Sequence, residues 1–190
     1  MRGSRSGLAA LAAATLALSA CNREAPPEPE AAPEQIPQPA ATGTVLATLQ
    51  RDPDFTTFVS ALQTAGVAES LDGSGPFTVF APTNAAFEKI PAARRDALTT
   101  PEGQGELRRL LTSHIVPGRL DGAAILQRIQ AGGGSLALTT MQGGTLTARA
   151  NADGSIILTG AAGEASRVEE ADMVAANGVI HGVETVLSSG

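Results

Sequence analysis

The chain has 190 residues and a formal charge of −6; 43% of its residues are hydrophobic but only 3% aromatic. With five Phe and no Trp or Tyr, the core has to be built mainly from Leu, Val and Ile. The acidic balance argues against phosphate-backbone binding, which needs clustered Lys and Arg, and a single cysteine excludes an internal disulfide framework.

In chain order, Arg2 and Arg5 precede an apolar Ala/Leu run from Leu8 to Leu18, shorter than the ~20 residues a membrane span needs. Leu18-Ser19-Ala20-Cys21 resembles the lipobox of bacterial lipoproteins at all four positions. The resemblance implies that residues 1–20 are a cleaved signal and that Cys21 is acylated and anchors the chain. Two or more acyl chains hold a protein stably to a membrane where one is marginal. Asn22, where Asp would favour inner-membrane retention, makes the outer membrane the expected destination. Without Arg2 and Arg5 the chain has 11 basic against 19 acidic groups, about −8. That leaves no electrostatic attraction to anionic lipid, so attachment to the membrane has to be covalent. Residues 22–41 carry six Pro and four Glu without apolar periodicity and read with Cys21 as a tether.

From Thr42 to residue 188 the sequence reads as one domain. Asp52-Pro53 is a helix start, with Phe55, Phe58, Val59 and Leu62 as one apolar stripe and Gly66 as its end. Asp72 to Pro76 is a turn, and Phe77 to Phe80 a short strand. Thr83 caps a helix carrying Phe87 and Ile90, and Thr100-Pro101 opens another with Leu107, Leu110 and Leu111. His114-Ile115-Val116 reads as a strand stopped by Pro117-Gly118. Asp121 caps a helix bearing Ile125 and Ile129, ended by the glycines at 132–134. The period then changes from helical to alternating: Thr145 to Asn151, an Asp153-Gly154 two-residue hairpin signal, Ile156 to Leu158, and strands near 168–174 and 179–186. These last two flank Asn177-Gly178, a turn in which Gly178 is expected at positive φ. Helices first and strands later make an α+β pattern.

Three segments bear on family. Thr78-Val79-Phe80-Ala81-Pro82-Thr83-Asn84-Ala85-Ala86-Phe87 closely resembles the first signature of the fasciclin domain. Leu110 to Gly118 is similar to its central Tyr-His segment, and Ala171 to His181 with Val183 to Leu187 to its C-terminal signature. The resemblance implies a wedge of β-strands with helices packed around it, exported and associated with adhesion or matrix contact. Ser113 stands where the family commonly has Tyr, and Glu184 where Asp is usual.

Ser113, His114, His181 and Asp172 are the ingredients of a nucleophile-base-acid set. Adjacent strand residues point to opposite faces, however, which would keep Ser113 from His114, and no Gly-x-Ser-x-Gly elbow occurs. Both histidines read instead as buried positioning groups for the loops at Pro117-Gly118 and Asn177-Gly178. Two isolated His do not make a zinc site, and no calcium or phosphate-cradling loop is present, so no metal or cofactor is expected. Sugar binding on exposed aromatic platforms is poorly supported without Trp or Tyr. The expectation is a lipid-anchored binding module, not an enzyme, contacting a protein or polysaccharide of the envelope or matrix. A structural envelope protein without external ligand is the first alternative, an envelope-acting hydrolase the second. His114, Arg119, Asp121, Asn177 and His181 are the candidate structural or partner-contact residues.

Overall fold

The computed structural model describes residues 43–188; Cys21 and the segments read from the sequence as signal and tether lie outside them. A short helix α1 (Val45–Leu49), which the sequence pattern did not announce, is capped by Thr44, whose Oγ1 accepts from Ala47 N–H at 3.3 Å. Asp52 caps as expected, its Oδ1 accepting from Asp54 N–H at 2.9 Å. Pro53–Phe55 form one 3-10 turn before helix α2 (Thr56–Thr64), and all four residues of the apolar stripe are buried. Helix α3 (Ala68–Leu71) leads to strand β1 (Phe77–Pro82).

Helix α4 (Asn84–Glu88) is capped by Thr83 but stops short of Ile90. Ile90 precedes Pro91, and the proline ring disfavours helical backbone in the residue before it. Pro91 then opens the polar helix α5 (Ala92–Thr99), whose only buried residue is Leu98. Thr100 Oγ1 accepts from Gly103 N–H at 3.1 Å, yet helix α6 (Gln104–Thr112) begins only after that turn. Strand β2 (Ile115–Pro117) follows. Helix α7 (Gly122–Ala131) is held by Asp121 Oδ1, which accepts from Ala124 N–H at 2.7 Å.

The strands β3 (Ser135–Thr139), β4 (Thr145–Ala150), β5 (Ile156–Thr159), β6 (Ala165–Ala175) and β7 (Gly178–Val183) complete a seven-stranded sheet in the order β2-β1-β7-β6-β5-β4-β3. Every pairing is antiparallel except β1 with β7. The β4–β5 hairpin is a three-residue loop rather than the expected two: Asn151 N–H donates to Ser155 O at 2.9 Å, with Gly154 at φ 82°. Met141 N–H donates to Ile115 O at 2.7 Å, which brings the far edge of the sheet back to β2. The result is a curled wedge with helices packed on it.

Two apolar clusters fill the molecule. Phe55, Phe58, Leu62, Leu111, Val79 and Ile180 belong to the helical side. Phe80, Ile125, Leu146, Leu158, Val183 and Leu187 belong to the inside of the curl. Val79 and Phe80 are neighbours in β1 and go to different clusters, because successive strand side chains point to opposite faces.

At the start of β7, Asn177 is buried and its amide joins three segments. Oδ1 accepts from Val45 N–H at 2.8 Å, and Nδ2 donates to the carbonyls of Leu71 and Gly73, both at 2.7 Å. Gly178 does not have the positive φ expected from the sequence. It is needed for close approach: a Cβ there would lie 2.3 Å from the Phe77 carbonyl oxygen and 2.9 Å from Val45 Cγ2. Gly178→Ala should therefore cost about 3 kcal/mol through overpacking against fixed backbone. Gly154→Ala, at positive φ but in open space, should cost only about 1–2 kcal/mol. Urea unfolding of the two variants checks the order, and a smaller loss at position 178 would refute the close-approach account.

Candidate functional site

The sequence placed Ser113 and His114 on a strand with opposed side chains. The structure corrects this. Ser113 is the C-cap of α6 in helical backbone, and β2 begins only at Ile115. Their side chains lie on the same side, with Ser113 Oγ 3.4 Å from His114 Nδ1, and both residues are fully buried.

The hydrogen bonds nonetheless rule out this pair as nucleophile and base. His114 Nε2 accepts from Leu187 N–H at 3.0 Å, so the proton sits on Nδ1, which donates to Leu110 O at 2.8 Å. A nitrogen that already carries a proton cannot take one from Ser113. The hydroxyl itself has the Leu110 carbonyl at 2.6 Å and the Leu187 carbonyl at 3.1 Å as acceptors. Burial pushes the His114 pKa down to about 4, against the opposing pull of the Leu110 carbonyl and the Glu164 charge. The ring is neutral, edge-on to Phe58 at 6.4 Å, and fastens the end of α6 to the segment after β7.

His181 sits in a different set of contacts and shares no hydrogen-bond partner with His114. Its Nε2 donates to Leu120 O at 2.8 Å, its Nδ1 accepts from Asp172 N–H at 3.3 Å, and its ring stacks on Phe80 at 5.4 Å. Burial lowers its pKa, while the Leu120 carbonyl and the charges of Asp172 and Asp121 act in the other direction. Asp172 has φ 67°, rare for a residue with a side chain, at the break in β6 register between Glu170 and Met173. That bend lets its Oδ1 accept from Gly122 N–H at 2.6 Å, the first amide of α7. Asp172 and Asp121 thus occupy the positive end of one helix.

Both histidines are positioning groups: His181 meets the loop after Pro117-Gly118 at the Leu120 carbonyl, and His114 ties α6 to the segment after β7. The Pro117-Gly118 turn is held by Thr78, whose Oγ1 donates to Gly118 O at 2.7 Å and accepts from Leu120 N–H at 2.9 Å. Asn177 holds its own neighbourhood. Arg119 is half-buried and engaged in an interaction, and Asp121 is half-buried as a cap. Among the described residues no group of three His, Cys, Asp or Glu could hold a metal.

The profile of the Fasciclin domain matches residues 53–189. The chain belongs to the fasciclin family. It is 35% identical over 144 residues to protein sll1483 of Synechocystis, covering 76% of this chain and 72% of that one. With the transforming growth factor-beta-induced protein ig-h3 of Sus scrofa the identity is 36% over 146 residues, and with human periostin 31% over 142. There the match spans 76% and 73% of this chain but only 19% and 15% of the relatives. A solved FAS1 domain pair from the insect cell adhesion molecule fasciclin I superposes with a TM-score of 0.70 at 19% identity, over 77% of this chain and 51% of that one. This likeness establishes the fold, a strand wedge with helices.

His114 makes stability depend on pH. The unfolded chain takes up a proton at this residue near pH 6.5 and the folded fasciclin domain only near 4. The contribution is therefore complete above pH 6.5 and is lost as pH falls toward 4, where only the unfolded chain is protonated. A separation of that size corresponds to about 3 kcal/mol. His114→Gln, which cannot titrate, should be less stable at neutral pH yet lose less on acidification. Denaturant midpoints at about pH 7 and about pH 4.5 measure this, and an unaltered pH dependence would show that His114 is not buried neutral.

Proposed function

We propose that this chain is a lipid-anchored, extracytoplasmic binding module, held at the membrane through Cys21 and acting by contact with a macromolecule of the envelope or matrix. The observation that carries the reading is the use made of the buried polar side chains. Ser113, His114, Thr78, Asn177 and His181 are all engaged in tying backbone segments together. None of them is presented to a substrate, which leaves the surface as the working part. The family supports contact as the mode of action, since fasciclin I is a cell adhesion molecule. Among the described residues no helix is long and apolar enough to cross a membrane, and the lipid on Cys21 would supply the attachment. Outer-membrane placement follows from Asn22.

Cys21→Ser should release the domain from membranes or block signal cleavage, and a cell-to-surface attachment assay should fall with it. A Cys21→Ser protein that fractionates with membranes at mature size would overturn the anchor. Density-gradient separation of the two membranes checks the destination. His114→Gln should change attachment only as far as it lowers the folded fraction.

A further inference from the structure

Charge is unevenly spread over the domain. Five of the ten basic residues among those described, Lys89, Arg94, Arg95, Arg108 and Arg109, fall between positions 89 and 109. Only Asp96, Glu102 and Glu106 oppose them there, whereas twelve carboxylates face the other five basic residues elsewhere in the described chain. Of the cations between 89 and 109, Lys89 and Arg94 line a cleft of about 220 Å³ between the α4–α5 region and the segment after β7, together with Glu164, whereas Arg95 lines a different hollow. A second hollow of about 100 Å³ adjoins it, sharing Arg94, Leu110 and Ser188.

The cleft is lined by Ile90, Pro91, Leu110 and Val186, an aliphatic surface. Lys89 and Arg94 stand at the larger hollow and Arg109 at the smaller one. Two of these cations are positioned from within the domain: Lys89 Nζ donates to Glu184 O at 2.8 Å, and Arg94 meets Glu106 at 3.0 Å. Glu164 also lines the cleft. Its Oε1 accepts from Ser188 Oγ, while its Oε2 is buried without a hydrogen-bond partner among the described residues.

We propose that this groove binds an acidic polysaccharide, a chain of uronic-acid type, and is the contact surface of the binding module described above, on which reading the inference rests. Guanidinium and ammonium groups are matched to carboxylates. The aliphatic floor suits the C–H faces of sugar rings, and Thr185 and Ser188 suit their hydroxyls. A neutral sugar has no aromatic platform to stack on here, so the carboxylates have to supply the grip. An acidic peptide of the test's kind carries carboxylates but no side-chain hydroxyls for Thr185 and Ser188. Outside residues 89–109 the described chain has twelve carboxylates against five cations, a balance that disfavours such a polymer there.

The test titrates the full chain in detergent micelles, at low salt, with a short oligogalacturonate. A maltodextrin of equal length and a glutamate peptide of equal charge serve as comparisons. Oligogalacturonate should bind at least about tenfold more tightly than either, and more weakly as salt rises. Arg94→Gln with Arg109→Gln should weaken it by about tenfold or more, and Arg149→Gln, outside the groove, by less than about twofold. Both cations are exposed, and melting curves confirm that the variants fold. Equal binding of maltodextrin, tighter binding of the glutamate peptide, or indifference to the double variant would each overturn the proposal. Loss of uronate binding with normal cell attachment would keep the groove and remove its adhesive role. Attachment that needs Cys21 in a chain that binds no uronate would do the reverse.

Discussion

Strand β7 runs between β1 and β6 with all six of its residues buried. Its pairing with β1 is the one parallel contact in the sheet, and it joins segments from opposite ends of the domain. A parallel pair needs a crossover connection, and here the crossover comprises α4 to α7 together with β2 to β6. Such a pair is covered on both faces, and in this fold helices cover one and the curled antiparallel strands the other. The close approach depends on Gly178 beside the Phe77 carbonyl and on Gly182 against Phe55. Larger side chains at these two positions would separate the layers that β7 joins.

A strand buried on both sides leaves its flanking backbone groups without water, and the buried polar side chains meet that need. Asn177 supplies partners at the start of β7, and His181 links its middle to the Leu120 carbonyl and the bend at Asp172. Thr78 does the same beside β1, and His114 fastens the chain just after β7. Both histidines are held neutral by burial, each with a tautomer set by one donated and one accepted backbone bond. The same arrangement that makes them good ties removes them from acid-base chemistry.

Two departures from the common fasciclin pattern fit into this frame. Ser113, in place of the usual Tyr, keeps a hydroxyl that reaches the carbonyls of Leu110 and Leu187. Glu184, in place of Asp, offers its backbone carbonyl to Lys89, which lines the cleft. The two positions bracket the stretch in which the chain leaves β7 and packs against α6.

Much of the fold was legible from local pattern. The Phe55-Phe58-Val59-Leu62 stripe, the caps at Asp52, Thr83 and Asp121, and the alternation around Leu146 each express a rule that acts over a few residues, and each forms where expected. The family was legible for a related reason, since its signatures are contiguous segments. The polar α5 and the short α1 and α3 were missed because their helicity depends on what they pack against. The strand assigned to Ser113-His114 failed because the end of α6 reaches into it, and Gly178 was misjudged because its constraint is the distant Phe77 carbonyl. Asn177, His114 and His181 each have a partner far off in the chain, 132, 73 and 61 residues away. No local pattern encodes such pairings: they exist only once β7 is inserted, and burial then decides which polar groups must find one another.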